Sequence, residues 1–321
     1  MADPRKKPNL PDLAKRLLET GPVKTLPTPR RIRIQLGGAW VADTTAAVYV
    51  WEHPFYPYYY VPVASFAEGV LVPSSSSTTS STEQGSHQGQ KKGEEGQGYD
   101  YKIMTLKAST ASTDRVLLFG SNLAERYGPH TLPLQSMARV EFGAASAWFE
   151  EDTRIYVHPK DPFRRVDVLH STRPLKIYIS TNEAGGQKGE GGKEGEKGIL
   201  VAQTTTAYHL HETGLPVRFY VPPTAILPNP GVLRESRRGT RTACPYKGEA
   251  DYYDVVLGGD GKGKGKGKGS EEQRSFDDLV WYYRTPTPEC VMVTGFLCFY
   301  NEKVDIELDG VMLERPKTVF S

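Results

Sequence analysis

The chain has 321 residues and a formal net charge of +2, with 40 Lys and Arg against 38 Asp and Glu. That balance excludes the strongly basic footprint of a nucleic-acid-binding domain. Four of the lysines (Lys262, Lys264, Lys266 and Lys268) sit in a Gly-Lys run, which is a basic loop and not a basic face.

Three cysteines without C-x-x-C spacing argue against a disulfide framework or a zinc ribbon. The odd count fits a reducing compartment, and the expected location is the cytoplasm. No apolar run reaches membrane-spanning length, so no membrane partner is expected.

In chain order, the first element is a short amphipathic helix over about 10–20, with Leu13, Leu17 and Leu18 on one side. From residue 30 the pattern turns to strands. "RIRIQL", "AVYVW", "YYYVPV", "RIYVH", "KIYIS", "ILVAQ", "RFYVP", "VMVTGFLCFY" and "KVDIEL" are short and rich in β-branched and aromatic residues. Cys290, directly before "VMVTGFLCFY", and Cys298 within it are expected on one strand. Three low-complexity tracts, 74–98, 184–198 and 258–270, contain too little apolar surface to offset their ordering entropy and are expected to stay flexible.

One unit is written twice. "AWVADTTAAVYVWEHPFYPYYYVP" (39–62) aligns without a gap on "ILVAQTTTAYHLHETGLPVRFYVP" (199–222), sharing Val41/Val201, Ala42/Ala202, Glu52/Glu212 and Tyr60/Tyr220, among others. The ends match as well, "SAWFEEDTRIYVH" with "LCFYNEKVDIELD". Where the first copy joins two strands by Gly37-Gly38, the second carries the 184–198 tract, so the tracts read as hairpin decorations. The expected fold is mostly β: two tandem antiparallel β domains, each a small barrel or sandwich, after a short N-terminal helix. The expected bounds are 1–29 for the helix and arm, 30–168 for the first domain and 172–315 for the second.

"WEHPFYPYYYVP", "AWFEEDTRIYVHPKDPFRRVDVLHS", "HETGLPVRFYVP", "TRTACPYKGEADYYDV" and "FYNEKVDIELDG" resemble the domain-of-unknown-function family 427 in its tandem form, from about residue 30 to 315. The resemblance implies a small β-rich domain without a settled activity, under a nucleotidyltransferase-like label. Nucleotidyl transfer wants a Gly-Ser turn followed by paired carboxylates for magnesium, and no such turn and pair occurs. The Gly-Lys run is no phosphate loop either, since Gly-Lys is never followed directly by Ser or Thr within its alternation.

The sharpest chemical signal is "TACPYKG". Cys244 lies three residues from both Arg241 and Lys247, and nearby positive charge is what makes a thiol nucleophilic. The plain alternative is a small buried cysteine in a turn. The first copy lacks this cysteine and offers only Tyr101-Lys102 at the expected counterpart.

Glu52 and Glu212 are acids shared by both copies, suited to general-base work or to anchoring a turn. His209 and His211 share one strand face, but a third ligand would have to come from Cys244 or Glu212, and neither metal nor cofactor is expected. The candidate catalytic set is Cys244, Lys247 and Glu212. The candidate ligand contacts are Arg241, Tyr246, Tyr253, Trp281 and Glu52, for a small anionic or planar ligand. The alternative is a non-catalytic interaction module.

Overall fold

The computed structural model describes residues 7–74, 79–80, 99–180, 198–228, 231–258 and 274–318. The low-complexity tracts, apart from a few edge residues, lie outside the described residues, and with them the expectation of flexibility. The chain opens with α1 (Leu10–Thr20), β1 (Lys24–Pro27), β2 (Ile32–Leu36), β3 (Ala39–Thr44), β4 (Val48–Trp51) and β5 (Tyr58–Pro62). It continues with β6 (Leu71–Pro73), β7 (Thr79–Ser80), β8 (Tyr101–Lys107), β9 (Ser112–Phe119), α2 (Leu123–Tyr127), β10 (Met137–Val140), β11 (Ala147–Glu150) and β12 (Thr153–Ile155).

A second set follows: β13 (Val166–Ser171), β14 (Leu175–Ile179), β15 (Ile199–Thr204), β16 (Ala207–Glu212), β17 (Arg218–Val221) and β18 (Gly231–Glu235). It ends with β19 (Arg241–Cys244), β20 (Gly248–Leu257), β21 (Arg274–Pro286), β22 (Leu297–Phe299), β23 (Asp305–Leu308) and β24 (Val311–Met312).

The chain divides into two units, Met1–Asp161 and Pro162–Ser321. The expected end of the first domain at 168 falls inside β13, which pairs along its whole length with β16 of the second unit. Among the described residues of the first unit, one sheet runs β1-β4-β5-β10-β9-β8-β6, with β7 also on β8, and a smaller one runs β12-β11-β2-β3. The second unit repeats both orders with every strand number raised by twelve, β13-β16-β17-β22-β21-β20-β18 with β19 on β20, and β15-β14-β23-β24.

Even the irregularities repeat. A register shift falls after Ile34 in β2 and after Ile177 in β14, and another after Met104 in β8 and after Tyr253 in β20. The structure is therefore a mostly β tandem duplication. Among the described residues its sheets are open, not closed into barrels.

Each unit is a two-sheet sandwich because its strands alternate. In β2, Ile32, Ile34 and Leu36 point inward while Arg33 and Gln35 are half-buried. They meet Val41, Tyr59, Val61 and Trp148 in the first core. Ile177, Val201, Phe219, Val221, Phe299 and Ile306 make the same core in the second unit. Gly37 and Gly38 both have positive φ (55° and 83°), which fits the two-residue turn between Leu36 and its partner Ala39. The 184–198 and 258–270 tracts connect neighbouring antiparallel strands, whose last described pairs are Ile179↔Ile199 and Leu257↔Arg274.

Two expected strands are shorter. "RIYVH" stops at Ile155, and Val157 takes a left-handed φ of 66°. "VMVTGFLCFY" is not one strand. Pro288–Val293 forms a 3-10 turn opened by its proline, Gly295 reverses the backbone at φ 72°, and the strand is confined to Leu297–Phe299, with Thr294 adding a single bridge to Tyr283. Cys290 and Cys298 thus belong to different elements.

The outer face of the large sheet is where the units diverge. In the first, α1 is capped by the Asn9 side chain, which accepts from the Asp12 amide at 3.1 Å, and it ends at Gly21. Its Leu13, Ala14, Leu17 and Leu18 lie in one cluster with Val50, Tyr60, Leu117 and Phe119. Among the described residues of the second unit no α-helix covers this face. Register places Leu210 where Val50 stands, Trp281 for Leu117 and Tyr283 for Phe119. Larger side chains and the Pro288–Val293 turn fill the space. Among the described residues no helix is long and apolar enough to cross a membrane.

Candidate functional site

The Cys244 turn is a hairpin tip. β19 pairs with β20 through Arg241↔Asp251, Thr242↔Ala250, Ala243↔Glu249 and Cys244↔Gly248. Gly248 takes a φ of 99° and passes so close to the Thr285 carbonyl (3.2 Å from a built Cβ) that a side chain would crowd it. Side chains alternate across the sheet, so Thr242 and Cys244 share the outer face, and Thr242 Oγ1 lies 2.7 Å from the Tyr252 hydroxyl there. The turn is tied down by the 3-10 segment: the Thr287 amide donates to the Lys247 carbonyl (3.1 Å) and Thr287 Oγ1 to the Tyr246 carbonyl.

Lys247 folds inward from this tip. Its Nζ donates to Glu212 Oε2 at 2.6 Å, with side-chain exposures of only 12% and 6%. Burial pulls the Lys247 pKa down, but the neighbouring Cys244 sulfur and the Glu212 carboxylate hold it above its ordinary value. It is a fixed ammonium, unfit to serve as an amine nucleophile or a base. Cys290 donates its thiol to the Tyr246 carbonyl at 3.5 Å. Burial pushes the Cys290 pKa up to about 11 and lifts Cys298 further, both against the pull of Lys247. All three cysteines thus lie within electrostatic reach of one lysine, and only Cys244 is partly exposed.

The equivalent glutamate of the first unit is neutralised from another direction. Glu52 accepts from Arg139 Nε at 2.5 Å and Nη2 at 3.2 Å, and from the Tyr60 hydroxyl at 3.0 Å. Arg139 stands opposite Tyr60 across β5 and β10. Cys298 stands opposite Tyr220 across β17 and β22, so cysteine occupies the arginine's place. A buried carboxylate must be paired, and the second unit has moved the cation from a sheet strand to the hairpin tip. Lys102 is not the counterpart of Lys247. It lies opposite Leu118, and the same register position in the second unit holds Asp251, opposite Tyr282.

The remaining expected residues divide. Tyr246 is buried in the turn, and Trp281 lies on the outer face, its indole Nε1 donating to the Tyr220 hydroxyl at 3.2 Å. Arg241 does not join them. It points to the opposite side and pairs with Asp251 at 2.8 Å. Tyr253 is on the inner face, stacked on Tyr282 at 4.8 Å. Glu52 belongs to the first unit.

His209 and His211 share a face of β16, but Glu212 is on the other, so the third ligand does not reach them. Among the described residues no group of three His, Cys, Asp or Glu is placed to hold a metal.

Sequence reasoning missed Arg139 and the bidentate Arg218–Glu302 pair, whose two bonds are both 2.7 Å. The expected match of "SAWFEEDTRIYVH" with "LCFYNEKVDIELD" is out of register, because β22 is the counterpart of β10 and β23 that of β11; setting "MARV" beside "FLCF" exposes the arginine-to-cysteine exchange.

No curated protein matches the chain. A family model described as a domain of unknown function (DUF427) matches residues 24–87 and 196–310, more than half of the sequence. The two matched segments fall one in each of the two sandwiches just described. With strand order, register shifts and the shared buried glutamate repeating as well, the chain belongs to the DUF427 family and carries its domain twice.

Proposed function

We propose that the second unit binds a small molecule at the Cys244 turn, as a binding protein or thiol enzyme working in the reducing cytoplasm. The carrying observation is the contrast among thiols: Cys290 and Cys298 are fully buried, while Cys244 is partly exposed beside a buried ammonium. In this reading Cys244 contacts or attacks the ligand, with the Lys247 ammonium beside its sulfur. Glu212 is a positioning residue that holds Lys247. Trp281, Tyr220 and Tyr283 are buried in the aromatic cluster of that face, so a planar group would reach them only at the edge of the tip. The corresponding face of the first unit lies under α1, where Arg16 Nη2 donates to the Glu52 carbonyl at 2.9 Å. That supports placing the site in the second unit.

A non-catalytic interaction module is the second reading. It is favoured by the glutamate–cation pair occurring in both units, where it serves packing in at least one. Alkylation of the native protein by iodoacetamide, followed cysteine by cysteine by mass spectrometry, separates the two. The expected order is Cys244 first, with Cys290 and Cys298 inert. The double variant Lys247→Met/Glu212→Gln, which removes both charges together, should slow Cys244 severalfold. An inert Cys244 in the folded protein, or a rate unchanged in that variant, defeats the thiol reading. Native mass spectrometry of freshly purified protein then identifies a retained ligand.

A further inference from the structure

The first unit contains a feature that the second lacks. Arg139 is wholly buried and spends Nε and Nη2 on Glu52, but among the described residues its Nη1 finds no protein acceptor. His53, beside Glu52 in the chain, has the same problem at Nε2. The Phe55 amide donates to His53 Nδ1 at 3.3 Å, so Nδ1 carries no proton and the proton sits on Nε2. Burial lowers the His53 pKa, keeping the ring neutral in that tautomer.

Both orphan atoms are therefore donors, and both side chains stand against Tyr58. The Arg139 guanidinium lies over the Tyr58 ring at 4.8 Å, and the His53 ring meets Tyr58 edge-on at 5.7 Å. Leaving a buried donor unmet costs free energy, so the site calls for an acceptor. The local charge favours an anion. Glu52 cancels one arginine, while Arg16, bonded to the Glu52 carbonyl and acting electrostatically on His53, adds a second positive charge. Arg139 offers Glu52 its Nε–Nη2 edge, which leaves Nη1 on the side away from the carboxylate. In the second unit, Cys298 and Thr213 replace Arg139 and His53, and this pair of orphan donors is absent.

We propose that the first unit binds a compact monovalent anion of halide size between Arg139 Nη1 and His53 Nε2. Both donor atoms have almost no solvent contact, so the anion has to fit within the packing and polyatomic anions are disfavoured. The test uses the full chain with sodium chloride or bromide against sodium sulfate at matched ionic strength. The thermal midpoint should rise with the logarithm of halide concentration. Crystals soaked in bromide should show an anomalous peak within hydrogen-bond distance of both nitrogens.

His53→Phe, which keeps an aromatic ring among Phe55, Tyr56 and Tyr58, should weaken halide affinity about tenfold or more by deleting one donor. Water in place of the peak overturns the proposal, as does a peak without halide-dependent stability. Equal effects of halide and sulfate, or a halide response unchanged in His53→Phe, overturn it as well.

Discussion

Glu52 and Glu212 show how a single buried charge constrains its surroundings. Both are almost fully buried, and neither sandwich can leave its carboxylate alone. Lys247→Met should destabilise the second unit by about 3–5 kcal/mol, the usual cost of stranding one member of a buried pair. Adding Cys298→Arg with Trp281→Leu recreates the Arg139 and Leu117 pattern and should recover part of that loss in denaturant titrations. A triple variant no more stable than Lys247→Met would falsify the equivalence of Arg139 and Lys247.

His209 supplies a pH dependence. Burial first, then Arg173, hold its pKa below the ordinary value near 6.5. The unfolded chain therefore takes up the proton at higher pH than the folded one. The stability from the neutral buried ring is fully present above about pH 6.5 and is lost as pH falls toward the folded pKa. In His209→Phe the fall in unfolding free energy between neutral and mildly acidic pH should be shallower than in the parent.

Among the elements, α1 separates the two outer faces. Its buried leucines close the first sandwich, whereas the second fills the same space with Trp281, Tyr283 and the Pro288–Val293 turn. Leu17 is fully buried, so Leu17→Ala should cost about 2–5 kcal/mol through lost transfer energy and the cavity left behind. Hydrogen exchange should show the lost protection in β4, β5, β9 and β10, with β16, β17, β21 and β22 unaffected. Uniform loss in both sets would mean that the helix supports more than the face it covers.

Across the whole molecule the duplication outlasts sequence similarity. The family model leaves the first copy at residue 87, yet β8 to β12 continue the strand order of the second copy to Ile155. Sheet order survives because the alternation of inward residues and the positions of the register shifts suffice to specify it, whatever the individual side chains. Replacing 184–198 and 258–270 by short glycine-containing turns should leave cooperative unfolding in place, with the midpoint moved by a few degrees at most. Loop entropy changes slowly with length, and both tracts join strands already paired with each other. Loss of the cooperative transition on heating would show that they are structural.

The sequence by itself determined what is local or repeated. Period-two alternation in "RIRIQL" and "KIYIS" marked strands, Gly37-Gly38 marked a hairpin, three leucines marked α1, and the gapless match of 39–62 with 199–222 marked the duplication. Only the tertiary structure decided which groups meet. Arg139 reaches Glu52 across 87 residues, and Lys247 reaches Glu212 across 35. Such partners depend on which strands neighbour one another and in which register, and no periodicity records that. Arg241 and Lys247, equally spaced from Cys244 in the chain, part company for the same reason. A strand sends alternate residues to opposite faces, which leaves Arg241 with Asp251, while the turn after Cys244 brings Lys247 back over the sheet to Glu212.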